Sequence, residues 1–188
     1  MDQKVFDMLE GSPVIAAVKD EEGLQVSCDA EEIRVLFILF GDICNISQIV
    51  KKAKDAGKTV FVHMDLIQGL SAKDIAVDFI KKNTQADGII TTKPPLIPRA
   101  KELGFCTVLR FFVLDSLALE NVQRQQSVKP DFIEILPGVM PKIIRRLCKD
   151  SKVPIIAGGL IADREDVVNA LDAGAFSVST TNQQVWFM

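Results

Sequence analysis

The sequence predicts a compact TIM-type (β/α)8 barrel, built as a single domain over residues 1–188. One helix ending occurs three times, as AKDAG at 53–57, AKELG at 100–104 and ALDAG at 170–174. A run of strand-forming residues follows each copy, and the spacings give a repeat of about 23 residues, so that eight repeats fill the chain. Most strand candidates are continuously apolar, which is typical of parallel strands buried on both faces. An open doubly wound sheet is the alternative arrangement of the same units.

Eight segments have the composition of such strands. Each is a short run rich in β-branched, aliphatic or aromatic residues. In chain order they are VIAAV (14–18), VLFILF (35–40), TVFVHM (59–64), GIITT (88–92), CTVLRFF (106–112), FIEIL (132–136), PIIA (154–157) and SVSTT (177–181). In a (β/α)8 barrel the functional groups come from the loops at the strand C-termini.

The segments between the strands have the apolar spacing of helices that cover a sheet. One of them carries apolar residues at i, i+3, i+4 and i+7, with Asn45 as the expected N-cap and Gly57 as the terminator. Those apolar residues are Ile46, Ile49, Val50 and Ala53. Asp163 is the expected cap of a later helix, which should turn Val167, Val168 and Leu171 toward the sheet.

Composition and charge narrow the class of protein. A formal net charge of −3 excludes a globally basic nucleic-acid-binding protein but allows a local basic patch. The four cysteines and the single histidine have no metal-binding spacing, so we expect reduced thiols, no metal, no cofactor and a cytoplasmic location. The longest strongly apolar run, 35–40, is too short to cross a bilayer, so no membrane partner is expected.

Small and hydroxyl residues follow the last two predicted strands. Gly158 and Gly159 come after the seventh strand, and Ser179 and Thr180 close the eighth. In barrels of this type a phosphate is often held at this position, because glycines admit backbone N–H groups and hydroxyls add donors. The alternative is that the glycines make a tight turn and the hydroxyls cap a terminal helix.

Polar side chains also gather at the ends of other strands. They are His63 and Asp65 after the third strand, Lys93 after the fourth, Arg110 in the fifth and Glu134 in the sixth. A charge within an apolar strand needs a partner, so Arg110 and Glu134 are either ligand contacts or a buried ion pair. By contrast, Asp87 and Asp131 precede strands and belong to the opposite, stabilising face of the barrel.

A basic stripe recurs at i, i+3, i+4 and i+7 on one predicted helix. Its members are Lys142, Arg145, Arg146 and Lys149. They oppose apolar residues at 143, 144 and 147. The stripe is either an RNA-binding surface or the ordinary solvated face of an amphipathic helix.

Seven ordered motifs resemble the glycerol uptake operon antiterminator family. They are SPVIAAVKD (12–20), LFGDICN (39–45), VFVHMDLIQGL (60–70), DGIITTKPPLIPRAKELG (87–104), VLDSLALE (113–120), KPDFIEILPGVMPKII (129–144) and PIIAGGLI (154–161). The resemblance spans Pro13 to Trp186. This sequence departs from the family pattern at TTKPP (91–95), where members more often carry a serine and a polar residue around the lysine.

The resemblance implies a TIM-type barrel that responds to glycerol 3-phosphate as its effector and binds leader mRNA, so that transcription reads through a terminator. It implies that Gly158, Gly159, Ser179 and Thr180 hold the phosphate. The residues implied to surround the glycerol end or to order the mouth are His63, Asp65, Lys93, Arg110 and Glu134. The basic stripe as an RNA contact rests on the residues themselves.

The sequence therefore supports two main functional hypotheses of different kinds and a third, weaker one. The leading hypothesis is a glycerol-3-phosphate-responsive RNA-binding antiterminator, which is not an enzyme. The alternative is a TIM-barrel isomerase or lyase acting on a small phosphorylated metabolite, with His63 or Glu134 carrying a proton and Lys93 as electrophile. The third is a binding module that acts through a protein partner. A homo-oligomer is compatible with any of them.

Overall fold

The computed structural model describes Asp7 and residues 9–188, and its strands form a closed parallel barrel in chain order. The first and last strands pair with each other, with Val14 opposite Val178, which excludes the open doubly wound sheet. The strands are β1 (Val14–Val18), β2 (Val35–Ile38), β3 (Thr59–His63), β4 (Gly88–Thr91), β5 (Cys106–Phe112), β6 (Phe132–Leu136), β7 (Ile155–Gly158) and β8 (Ser177–Thr180). The predicted (β/α)8 barrel and all eight predicted strands are confirmed.

Seven α-helices alternate with these strands between residues 14 and 188. They are α1 (Glu21–Asp29), α2 (Ile46–Asp55), α3 (Asp74–Asn83), α4 (Leu96–Glu102), α5 (Ser116–Gln125), α6 (Pro141–Asp150) and α7 (Arg164–Asp172). Short 3-10 turns occur at Met64–Leu66, Gln126–Val128 and Gln183–Val185. The predicted domain begins at Met1, but residues 1–6 and Met8 lie outside the described residues.

Two of the three predicted helix boundaries have the expected chemistry. Asp163 caps α7 by accepting a hydrogen bond from the backbone N–H of Asp166 at 3.0 Å. Gly57 follows α2 with a φ of +77°, the left-handed conformation that suits glycine. Asn45 precedes α2 but makes no side-chain cap, because its Oδ1 accepts from the N–H of Asp42 instead. The carboxylate of Asp42 in turn accepts from the N–H of Asn45 at 3.0 Å.

The inner face of α7 differs from the prediction at one position. Val167 and Ala170 are buried against the barrel, and Leu171 is half-buried. Val168 is 45% exposed, so its predicted orientation toward the sheet is wrong. Each helical residue turns the side-chain direction by about 100°, which carries Val168 out of the face that Val167 and Ala170 share.

The barrel interior is packed with apolar side chains from alternate strand positions. Phe37 and Phe61 meet edge to face with their ring centroids 5.4 Å apart, and Phe132 and Ile156 belong to the same buried cluster. The clusters outside the strands pack the helices against the sheet. The interior is therefore filled below the mouth, and open space occurs only where the inward-facing residues become polar or small.

Asp87 and Asp131 stabilise the face opposite the mouth, as the sequence predicts. Asp87 accepts from the N–H of Val60 at 2.8 Å and from Lys54 Nζ at 2.6 Å. Asp131 accepts from both the N–H and the hydroxyl of Thr107. Each carboxylate thus ties the start of its strand to the neighbouring strand.

No helix formed by residues 9–188 is long and apolar enough to cross a membrane.

We predict that Gly88→Ala destabilises the barrel by about 3 kcal/mol, because overpacking of a filled core forces side chains and backbone to shift. A Cβ there would overlap the Phe61 ring and lie 2.5 Å from the carbonyl oxygen of Cys106. Gly57→Ala is the control: it meets open space, and only its positive φ is unfavourable, at about 1 kcal/mol. Urea unfolding measures both. Equal losses would contradict the packing argument.

Candidate functional site

A cavity of about 380 Å³ opens at the C-terminal mouth of the barrel. Its floor includes Arg110 of β5 and Glu134 of β6. The loop that follows β7 lines one side from Gly159 to Ala162, and the segment from Ser179 to Asn182 lines another. These two loops are the ones in which the sequence placed the anion site.

The floor is a buried hydrogen-bonded network. Arg110 Nε donates to Glu134 Oε2 at 2.5 Å, and Ser179 Oγ donates to Glu134 Oε1 at 2.5 Å. Glu134 is fully buried and Arg110 nearly so, so each charge depends on the other. The structure therefore contains the predicted buried ion pair, and it also places that pair against the cavity.

The Arg110 side chain keeps donors for a ligand. Only its Nε atom hydrogen-bonds to a protein group within the part of the chain that the structure describes. The two Nη groups are left without a protein partner there. Because Arg110 lines the cavity, they supply positively charged N–H donors beside it.

Gly158 lies under the cavity as the last residue of β7, one position earlier than the predicted turn. A Cβ there would lie 2.6 Å from both Glu134 Oε1 and Ser179 Oγ. Glycine therefore provides the room in which the Glu134–Ser179 hydrogen bond forms. Its neighbour Gly159 is the glycine that lines the cavity itself.

The loop after β7 contributes Gly159, Leu160 and Ile161 to the residues that line the cavity. Gly159 has a φ of +74° and Leu160 a φ of +60°, an uncommon conformation for leucine. The N–H groups of Leu160 and Ile161, and that of Thr181 from the facing loop, have no hydrogen-bond partner among residues 9–188. Unpaired N–H groups that line one cavity are suited to an anion.

Thr180 and Asn182 connect the two loops. The hydroxyl of Thr180 donates to the carbonyl oxygen of Ile161 at 2.8 Å and accepts from the N–H of Asn182. Asn182 Nδ2 donates to the carbonyl oxygen of Ala162 at 2.8 Å. Sequence reasoning missed Asn182, although its position directly after the Ser/Thr run was a usable signal.

His63 is buried at the C-terminal end of β3. Burial and, to a smaller extent, the positive charge of Arg110 lower the pKa of His63 to about 4, although the negative charge of Asp65 opposes the shift. Its Nδ1 atom has no hydrogen-bond partner in the described structure. His63 is therefore neutral at neutral pH.

Asp65 organises the loop after β4. Its carboxylate accepts hydrogen bonds from the hydroxyl of Thr91 and from both the N–H and the hydroxyl of Thr92, at 2.6–2.8 Å. Partial burial raises the pKa of Asp65, but the hydrogen bonds from Thr92 and Thr91 outweigh it, so the pKa lies below its ordinary value. Asp65 thus remains an acceptor that fixes this loop.

The structure divides the predicted ligand residues into two groups. Arg110, Glu134, Gly159, Ser179 and Thr180 line the cavity, with Gly158 directly beneath. The remaining three, His63, Asp65 and Lys93, belong to the β3 and β4 ends of the mouth and are not part of the cavity wall. Lys93 is exposed, and its backbone N–H donates to the Thr91 hydroxyl.

The basic stripe lies on α6. All four of its side chains are exposed, and Ile144 and Leu147 are buried on the opposite face. The four are Lys142, Arg145, Arg146 and Lys149. This arrangement fits a solvated helix face and an RNA surface equally well, so its role stays a prediction.

Fold and mouth together define a TIM-barrel protein with a cavity between the loops that follow β7 and β8. Within this class, the chain belongs to the glycerol-3-phosphate responsive antiterminator family, whose sequence model matches residues 14–186. The family is one of regulators of glycerol uptake operons. The resemblance found in the sequence motifs is confirmed.

Individual relatives agree with this assignment. The chain is 46% identical over 183 residues to YgcP, an uncharacterized protein of Escherichia coli, and the match covers 97% of this chain and 95% of that one. A glycerol uptake operon antiterminator regulatory protein of Listeria monocytogenes superposes with a TM-score of 0.89 at 32% identity, covering 93% of this chain and 94% of that one. A glycerol uptake operon antiterminator-related protein of Thermotoga maritima superposes with a TM-score of 0.83 at 38% identity. That match covers 94% of this chain and 99% of the other.

We predict that His63 keeps its neutral form down to a pH near 4. Between pH 6.5 and 4 the unfolded chain, with an ordinary histidine pKa of 6.5, binds one proton more than the folded chain. The free energy of unfolding should therefore fall by about 3 kcal/mol from this group as the pH drops through that window.

NMR can follow this titration without ambiguity because the chain has one histidine. The Cε1 proton should hold its shift from pH 8 to about 5, and His63→Leu should remove this part of the pH dependence of stability. A midpoint near 6.5 would show that the side chain is hydrated instead of buried.

Proposed function

We propose that the protein binds glycerol 3-phosphate at the barrel mouth and, when loaded, binds leader mRNA so that transcription passes a terminator. One observation carries the ligand part: Leu160, Ile161 and Thr181 line the same cavity as Arg110, and their N–H groups have no hydrogen-bond partner among residues 9–188. Membership of the antiterminator family supplies the identity of the effector.

The phosphate is proposed to lie between the loops after β7 and β8. Backbone N–H groups give it directional donors, and the Nη groups of Arg110 add positive charge. Because Glu134 already neutralises part of the Arg110 charge, the N–H groups are expected to provide most of the phosphate contacts. Gly159 and Ser179 shape this pocket, and Gly158 and Thr180 fix its walls.

The glycerol end is proposed to face the β3 and β4 side of the mouth. His63 is buried there and lies outside the cavity wall, so we expect it to order the mouth and not to contact the glycerol hydroxyls. Asp65 contributes by ordering the loop that carries Thr92 and Lys93. The exposed ammonium of Lys93 adds positive charge near the mouth.

The RNA is proposed to contact the basic stripe on α6. Four exposed cations on one helix face provide a local positive surface on a chain with a net charge of −3. Phosphate contacts of this kind make affinity depend strongly on salt.

The described side chains favour binding over catalysis. Both oxygens of Glu134 are engaged by Arg110 and Ser179, so this carboxylate is poorly placed to carry a proton. Lys93 is exposed and outside the cavity wall, whereas an electrophilic lysine needs to contact the substrate. These two placements support a binding role for Glu134 and Lys93.

We predict that glycerol 3-phosphate raises the affinity for the leader RNA of the glycerol uptake operon by about tenfold, equivalent to about 1.4 kcal/mol of coupling. Gel-shift titration with and without glycerol 3-phosphate measures this, with glycerol as the control that lacks the phosphate. Binding that ignores both the effector and the RNA sequence would contradict the proposal.

We predict that Arg145→Glu combined with Arg146→Glu weakens leader binding by at least about tenfold and lowers the salt slope by about one per lost phosphate contact. Affinity for glycerol 3-phosphate, measured by calorimetry, should stay within a factor of about two, because these residues lie outside the cavity. Lys51→Glu with Lys52→Glu is the matched control, since it makes the same charge change on the exposed surface of α2. If both double variants lost RNA affinity equally, the RNA interface would not lie on α6.

A further inference from the structure

A backbone hydrogen bond joins the loop after β7 to the connection that precedes α6. The N–H of Gly138, in the connection between β6 and α6, donates to the carbonyl oxygen of Gly159 at 2.9 Å. Gly159 lines the cavity, and Gly138 lies three residues before Pro141, where α6 begins. One hydrogen bond therefore links the wall of the proposed phosphate site to the segment that leads into the stripe.

The two loops are also in close contact at this point. A Cβ on Gly138 would lie 2.9 Å from the backbone nitrogen of Gly158 and 3.0 Å from Cδ1 of Ile161. A Cβ on Gly159 would lie 3.1 Å from Cδ2 of Leu136, the last residue of β6. No side chain fits between these loops, so a shift of one must move the other.

Ile161 and one residue of α6 belong to the same hydrophobic cluster. It contributes to the cavity wall, yet its side chain is buried in the same hydrophobic cluster as Ile144 of α6. Ile144 directly precedes Arg145 and Arg146 in the chain and lies beneath the stripe. The same loop thus lines the cavity and contributes a buried side chain to the cluster that includes Ile144 of α6.

We propose that this contact, centred on Gly138, transmits effector occupancy to α6 and so sets its RNA-competent position; the inference rests on the proposed function. A phosphate bound to the N–H groups of Leu160 and Ile161 fixes the loop after β7. The fixed loop then holds Gly138 and Ile144, and through them the first turns of α6. Gly138 is a positioning residue, because it touches neither effector nor RNA in this arrangement.

Thermodynamic linkage makes the proposal measurable on the full chain. Gly138→Ala should push the connection between β6 and α6 away from the loop after β7. The substituted residue is itself neither part of the cavity wall nor one of the cations of α6. Val167→Ala is the matched control, because Val167 is buried in the cluster of Ile144 and Ile161 but lies on α7 outside the cavity wall. The four measurements are the affinity for glycerol 3-phosphate with and without leader RNA, and the affinity for RNA with and without glycerol 3-phosphate.

In the wild type, glycerol 3-phosphate should raise RNA affinity about tenfold, and RNA should raise effector affinity by the same factor. In Gly138→Ala each ligand should still bind alone, but both factors should fall close to one; Val167→Ala should keep them. Retention of the tenfold factor in Gly138→Ala overturns the coupling and leaves the proposed function intact. A wild-type factor of one overturns both.

A second measurement covers the case in which Gly138→Ala fails to fold. Hydrogen exchange on the wild type should show that glycerol 3-phosphate slows the backbone amides of Ile143, Ile144 and Arg145 in α6, with no comparable change in α2. If the effector slows exchange in the loop after β7 but leaves the exchange rates of the α6 amides unchanged, effector binding does not affect α6 and the inference is wrong.

Discussion

Arg110, Glu134 and Ser179 form the buried network on which the mouth of the barrel depends. A fully buried carboxylate is stable only when its charge is paired and its oxygens are hydrogen-bonded. Here one oxygen of Glu134 accepts a hydrogen bond from Arg110 and the other accepts one from Ser179. The network requires glycine at 158, because a Cβ would occupy its space. It also holds the guanidinium at the cavity floor and lowers the pKa of His63 by its charge. Three strands are therefore tied together where apolar packing ends.

Above this network, hydrogen bonds connect the loops at the mouth of the barrel to one another. Thr180 and Asn182 fasten the segment after β8 to the loop after β7, and Gly138 fastens the connection before α6 to the same loop. The loop after β7 is therefore shared by the cavity and the basic helix.

The sequence was most informative where a local pattern decides the structure. The β-branched and aliphatic runs became strands because parallel strands buried on both faces need continuous apolar residues, and Asp163 capped its helix because a cap is a contact three residues long. It was less informative where neighbours compete. Asn45 makes no side-chain cap because its Oδ1 accepts from the N–H of Asp42. Val168 lies outside the buried face because α7 meets the barrel through Val167 and Ala170.

The same distinction applies to the site. By itself the sequence determined the barrel, the strand ends that carry polar residues, the position of Arg110 and Glu134 on neighbouring strands and the basic face of α6, because each follows from periodicity or from chain order around a closed sheet. Only the tertiary structure decided that Arg110 and Glu134 form an ion pair, that Gly158 makes room for a hydrogen bond, that Asp65 bonds to the loop after β4 and that Ile161 shares a buried cluster with α6. These contacts join residues far apart in the chain, and their partners are fixed by loop packing, which no local pattern encodes.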